Sequence, residues 1–353
     1  MNAPLRVALA AVIVAGILAV LLIKPGKAPE RIVTVYTSVD SEYAEKLAER
    51  FTQATGIAVQ LSTDSEISKT TGMLEQLRAF KQRPLGDVFW NSELSGTLVL
   101  AREGLFEPYT SLNAAKIPER FKDPKGLWTG FGLRARVLIF NTNKMKREQA
   151  PKSIEDLAKP EWRGQFCIAR PMYGTTRSHL VSLVLALGEE KGLELLRKIR
   201  ANGSEDGKKE FLVDGNSAVR DRVSDGTFNC GLTDTDDVYE AMDRKSPVDF
   251  LLIEQTASWP GVYVIPNVVS VLNNAPHKEN AHAFVDFLLR PETEAFLAEQ
   301  GARQIPVRAE VPVPVGRIKL SEMKTADPDY KALDENLERL SEKIDRLLRG
   351  IDP

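Results

Sequence analysis

The sequence predicts an α/β protein of two lobes, each a mostly parallel sheet flanked by helices, joined by strands that cross from one lobe to the other. Three observations carry that expectation. Short β-branched runs alternate with amphipathic helical stretches, the order that builds parallel sheets. These strand–helix units fall into an early set and a later set, with a return segment afterwards. The length, 353 residues with 43% hydrophobic and 27% charged, suffices for two domains of roughly 100–200 residues each. The expected division is residues 31–135 for the first lobe, 136–262 for the second, a return to the first over about 263–310, and a helical tail from 311 to 353.

In chain order, Val7–Ile23 is an apolar run of 17 residues followed by Lys24, Pro25, Gly26 and Lys27. At 1.5 Å per residue it reaches about 26 Å, the short end of what crosses a bilayer. It is apolar all round, unlike a core helix, and lysines stand where a cleavage site would need small residues. An uncleaved N-terminal anchor is expected over residues 1–30, with the remainder exported. Ile32–Tyr36 reads as a buried strand, a helix follows through Phe51 to Gly56, and Ile57–Leu61 supplies the next strand. Further elements are a helix over Lys69–Phe80, a strand at Asp87–Trp90, a helix over Glu93–Glu103, and strands at Val137–Phe140 and Phe166–Ala169. Helices over His179–Leu187 and Lys191–Ile199 precede a strand at Phe211–Val213, a helix over Ser217–Ser224 and a strand at Thr227–Leu232. Tyr263–Leu272 is a strand candidate broken by Pro266, with helices over Ala281–Leu289 and Glu292–Gln300 after it. The Leu333, Leu337, Leu340, Ile344, Leu347 stripe predicts an amphipathic helix across Ser321–Leu348 that packs on the domain.

Composition closes several routes. A net charge of −2 offers no basic surface for nucleic acid. Three histidines form no zinc spacing, and Cys167 and Cys230 read as buried small hydrophobes rather than a disulfide. There is no GxSxG elbow, P-loop, GxGxxG after a strand or HExxH, so no nucleophile-and-base pair marks an enzyme. A paired-carboxylate cleft hydrolase is the remaining catalytic alternative.

In open parallel sheets, ligands sit beyond the carboxyl ends of strands, where helices begin. Those positions carry Thr37, Ser38 and Asp40; Ser92 and Glu93; Gly174, Thr175 and Thr176; Asn216 and Ser217; and Asp234, Thr235, Asp236 and Asp237. Such residues are also the preferred N-caps of helices, so one cluster alone reads as a cap. Five at one sheet edge point to a ligand site. Gly174–Thr175–Thr176 fits an anion cradle, completed by Asn216 and Ser217. The acidic set Asp40, Glu93, Asp234, Asp236 and Asp237 needs a cation among it or a solvated surface; a hard metal ion or an ammonium group would serve.

The stretches YTSVDSEYAEKLAERFTQATGI, GDVFWNSE, AREGLFEPY, WRGQFCIARPMYGTT, VDGNSAVRD and GLTDTDD, with the IPN and APH segments, resemble the iron(III)-type solute-binding proteins of ABC importers over roughly residues 32–310. The resemblance implies a two-lobe, type II periplasmic binding protein-like fold whose cleft closes on a solute before docking on an inner-membrane permease. It implies a monomer on the periplasmic side of that membrane, carrying Fe³⁺ with a synergistic anion as transported solute. The family's histidine ligand falls at Asp40 and its glutamate ligand at Glu93. The anion positions fall at Gly174, Thr175, Thr176 and Asn216. The family's adjacent tyrosine pair falls within residues 235–237, where no tyrosine stands; Tyr239 is close but displaced. Either carboxylates, with Asp236 and Asp237 as metal ligands, replace the phenolates, or the solute has changed. In the second case the carboxylates meet an ammonium or hydroxyls, and the Thr175 region meets a phosphate or carboxylate.

Overall fold

The computed structural model describes residues 31–63, 71–172, 174–204, 210–256, 258–300 and 303–351. The apolar segment expected as an anchor lies outside them, and among the described residues no helix is long and apolar enough to cross a membrane.

The first lobe is built on β1 (Ile32–Thr37), β2 (Ala58–Thr63), β3 (Val88–Asn91) and the short β4 (Phe106–Glu107), with α1 (Ser41–Thr55), α2 (Thr71–Ala79) and α3 (Ser95–Arg102) between them. Strand β1 pairs in parallel with β2 and β3. Helix α1 buries Ala44, Leu47, Ala48 and Phe51 on one face, and the Phe51 ring meets Phe284 and Phe287 edge-on. It ends where Gly56 takes a left-handed φ of 70° and returns its N–H to the Thr52 carbonyl, a C-terminal stop suited to glycine.

Strand β5 (Thr129–Asn141) is the connection that matters most. Its first half, from Thr129 to Ala135, pairs with β10 (Val264–Leu272). From Arg136 onward it pairs with β8 (Cys230–Asp234) and, further along, β9 (Val248–Leu251). One strand thus belongs to both lobes. The second lobe adds β6 (Phe166–Ala169) and β7 (Leu212–Val213), parallel to each other and to β8. Its helices are α4 (Gly174–Leu187), α5 (Glu189–Asn202), α6 (Asn216–Ser224) and α7 (Thr235–Asp243). The chain then returns through β10, α8 (Lys278–Leu288) and α9 (Pro291–Glu299), and ends in α10 (Tyr330–Arg349). The sheet order is β2-β1-β3-β10-β5-β8-β6-β7: each lobe holds parallel strands as the sequence predicts, and the antiparallel strands β5 and β10 join them into one mixed sheet.

Several local expectations are corrected. Strand β10 is not broken at Pro266; it runs through with a register shift between Pro266 and Asn267, a bulge being one place a sheet accepts a residue without an N–H. Helix α4 begins at Gly174, not His179. Helix α10 begins at Tyr330, not Ser321, because Pro328 lies just ahead and the Asp329 side chain accepts the Lys331 and Ala332 N–H groups as its cap. Strand β8 runs to Asp234 rather than stopping at Leu232. Cys167 and Cys230 are buried and free. Register pairs Cys167 with Gly231 and Cys230 with Phe166, so the two thiols point to opposite faces of the sheet.

Candidate functional site

The carboxyl ends of β1 and β3 on one side, and of β6 and β8 on the other, converge where β5 passes between lobes. Two arginines of β5 mark that place. Arg134 and Arg136 are two residues apart, so both side chains leave the same face of the strand.

Arg136 is 1% exposed. A buried guanidinium is costly unless its charge and donors are met, and here both Nη groups are met while Nε has no partner. Nη1 donates to Asp234 Oδ1 at 2.9 Å and Asn216 Oδ1 at 2.8 Å; Nη2 donates to Thr176 Oγ1 at 2.7 Å and the Leu232 carbonyl at 3.2 Å. Asp234, fully buried, also accepts from Thr175 Oγ1 at 2.7 Å and Asn216 Nδ2 at 2.9 Å. Thr175, Thr176, Asn216 and Asp234 are therefore one network. Their side-chain groups face a cation supplied by the chain itself. Gly174 opens α4 with φ of 56° beside them, while Ser217 is exposed one residue into α6 and stands apart.

Arg134 reaches across the gap. Its Nη2 donates to the Ser92 carbonyl of the first lobe at 2.6 Å, and its Nη1 to Asp236 Oδ2 of the second at 3.0 Å. Burial opposes its charge, but Asp236 and Asp234 more than offset that and hold it above arginine's ordinary range. Asp40, exposed at the start of α1, adds its field to both Arg134 and Asp236.

Carboxylate oxygens of Asp234, Asp236 and Asp237 lie within 4.8 Å of one another. Asp236 Oδ1 is buried without a hydrogen-bond partner. Asp237 accepts from Thr233 Oγ1 at 2.8 Å and stands 3.9 Å from Arg220, which is engaged by Asp221 and Glu240. Burial raises the Asp237 carboxyl, and the neighbouring Asp236 and Asp234 add to it, to about 8; Asp236 is also raised, chiefly by burial and against the pull of Arg134. Burial and the mutual repulsion of these carboxylates favour a protonated form, the place a cation could take.

On the first lobe, Ser38 Oγ donates to Asn91 Oδ1 at 2.6 Å and accepts the Ser92 N–H at 2.9 Å, tying the turns after β1 and β3 together. Thr37 Oγ1 takes the Val39 N–H within its own turn. Glu93 is buried, and its oxygens accept the Ser95 and Gly96 N–H groups at 2.7 and 2.9 Å and the Ser95 hydroxyl. It caps α3. Thr235 accepts the Ala135 N–H at 3.1 Å, fastening α7 to the crossing point of β5.

Arg134 and Arg136 are absent from the expected set, because the apolar pattern of this strand starts at Val137. The signal was present: in FGLRARVLIF two charges interrupt a run that is otherwise apolar, and such charges demand partners.

A family model described as bacterial extracellular solute-binding protein matches residues 99–333. Iron uptake protein A1 of Synechocystis sp. is 28% identical over 319 residues, covering 88% of this chain and 84% of that protein. Iron-bound HitA from Pseudomonas aeruginosa superposes with a TM-score of 0.78 at 22% identity, over 90% of this chain and 99% of that one. A Trichodesmium protein (IdiA, FutA) in complex with iron and citrate ligands gives 0.76 at 22% identity, over 90% and 99%.

Proposed function

The chain belongs to the bacterial extracellular solute-binding proteins, and from that premise we propose that it captures ferric iron between its lobes for an ABC importer. It works in the periplasm as a monomer held to the inner membrane by its N-terminal segment, and delivers its solute to the permease. Its task is capture rather than turnover. Asp236 and Asp237 supply the metal ligands, with Asp234 behind them and Asp40 facing them from the first lobe. A trivalent ion outcompetes the Arg134 guanidinium for Asp236, and the freed guanidinium is then available to an anion that arrives with the metal. The observation that carries this reading is the three-carboxylate cluster beside a guanidinium that touches both lobes. Carboxylate oxygens suit a hard cation.

A second reading is favoured by the carboxylates standing where the family has phenolates: an ammonium-bearing solute takes the same cluster. Titration calorimetry of residues 28–353 with ferric citrate and, separately, with 2-aminoethylphosphonate separates the two. Heat with ferric citrate alone, abolished by Asp236→Ala with Asp237→Ala, supports iron. Heat with the aminophosphonate alone transfers the site to the second reading. Unchanged affinity in the double variant removes these carboxylates from either.

A further inference from the structure

Helix α10 lies across both lobes. Its apolar stripe, including Leu333, Leu337 and Leu340, is fully buried, and it packs against α3 of the first lobe as well as α4 and α5 of the second. On the second-lobe side, Glu189 binds Arg339 at 2.9 Å and Lys343 at 2.8 Å. On the first-lobe side, Arg102 at the end of α3 donates to the Asp334 carbonyl at 3.1 Å and lies 3.2 Å from its carboxylate. The Tyr330 ring meets Trp128 edge-on at 5.9 Å.

Two of the helices that α10 joins, α3 and α4, carry the cleft. Helix α3 starts from the Ser92–Glu93 turn, whose carbonyl holds Arg134. Helix α4 starts at Gly174–Thr176, which holds Arg136 and Asp234. A rigid rod seated on both fixes their separation far from the solute itself.

We propose that α10 is an interlobe strap, and that Arg102 and Asp334 are positioning residues that set the spacing of the two halves of the cleft. Opening must slide α3 over the first turn of α10, and the Arg102–Asp334 contact resists that slide. The pair touches no solute and acts only through the fraction of molecules whose halves are correctly spaced; that fraction scales the apparent affinity. The effect on binding rests on the solute-capture reading above, whereas the effect on spacing does not.

The test is a charge reversal with rescue. Spin labels at Glu49→Cys on α1 and Lys198→Cys on α5, both exposed, report the interlobe distance without any solute, since Cys167 and Cys230 are buried with thiols raised by burial and remain unlabelled. Asp334→Arg is expected to lengthen and broaden the distance distribution, and to weaken ferric citrate binding by about tenfold through loss of the competent population. Arg102→Asp combined with Asp334→Arg is expected to restore both. A distance distribution in Asp334→Arg that matches the parent, or a double variant no better than the single one, overturns the strap. Failure of the parent to bind ferric citrate sinks the iron reading and leaves the distance test to decide the strap. Asp334→Asn, which keeps size and polarity, guards against a folding defect: its distribution is expected to shift in the same direction by less.

Discussion

Asp234 and Arg136 show how little of this site is free to choose its role. Both are essentially without solvent contact, and removing one member of a buried pair strands the other. Arg136→Met is therefore expected to cost about 3–5 kcal/mol in urea unfolding, with Asp234→Asn in the same chain recovering part of it, as coupling in a double-mutant cycle requires. Asp237 gives the opposite trade. Its carboxyl titrates near 8 against about 3.9 in an unfolded chain. Its contribution to stability is complete below the unfolded value and is lost as pH rises through about 8. The solute-free protein should thus melt progressively lower between about pH 4 and pH 8, and Asp237→Asn should flatten that slope when melting is followed across the range. Over the same interval cation affinity should rise, since the ligand form is the deprotonated one. The acidic residues were legible in the sequence because TDTDD has no apolar explanation. The arginines that organise them are hidden, since the apolar pattern of this strand starts only at Val137.

At the level of elements, β5 decides the architecture and was only half visible. Its second half is an unbroken apolar run, VLIF. The stretch ahead of that run, residues 129–136, contains Gly130, Gly132 and two arginines, residues that weaken a strand pattern. Those glycines answer to packing. Gly132 holds φ at 52°, and a Cβ there would lie 2.5 Å from Gln304 Oε1, the acceptor of Asn267 Nδ2. The Gly132 carbonyl accepts from the same Asn267 amide at 2.7 Å. A glutamine tip can move, but the backbone conformation cannot be kept without strain. Gly132→Ala is expected to destabilise by about 1–3 kcal/mol, read as a lowered denaturation midpoint with an unchanged slope. Other elements escaped the sequence for equally local reasons. Strand β9 is four residues, VDFL, too short to show a period, and α7 hides behind three aspartates that read as a ligand cluster before they read as a first turn. Helix α1 is plain because burial on one face dictates its spacing, and β3 and β6 because burial on both faces makes them short apolar runs.

At the scale of the molecule, and among the described residues, β5 passes between lobes, accompanied by two stretches, residues 258–263 leading into β10 and residues 311–327 leading towards α10. The last two are bound to each other, since Val262 donates its N–H to the Lys324 carbonyl and accepts the Ala326 N–H. Gly261 allows this approach, with φ of 109° and a notional Cβ only 2.7 Å from the Thr325 carbonyl carbon. Paired crossings permit bending about one axis and resist twisting, the geometry of hinge closure. A solute can drive that bend only by binding the closed form better than the open one. The groups able to express such a preference are those that meet across the gap: Arg134 with Ser92 on one side, and Asp236 with Asp237 on the other. Adding ferric citrate should therefore reduce the radius of gyration measured by small-angle scattering. Asp236→Ala with Asp237→Ala should leave it unmoved at any concentration, because the closed state then offers the solute nothing that the open state lacks. Contraction of the double variant to the same extent as the parent would show that closure is driven from elsewhere in the cleft, and would detach the carboxylates from the mechanism.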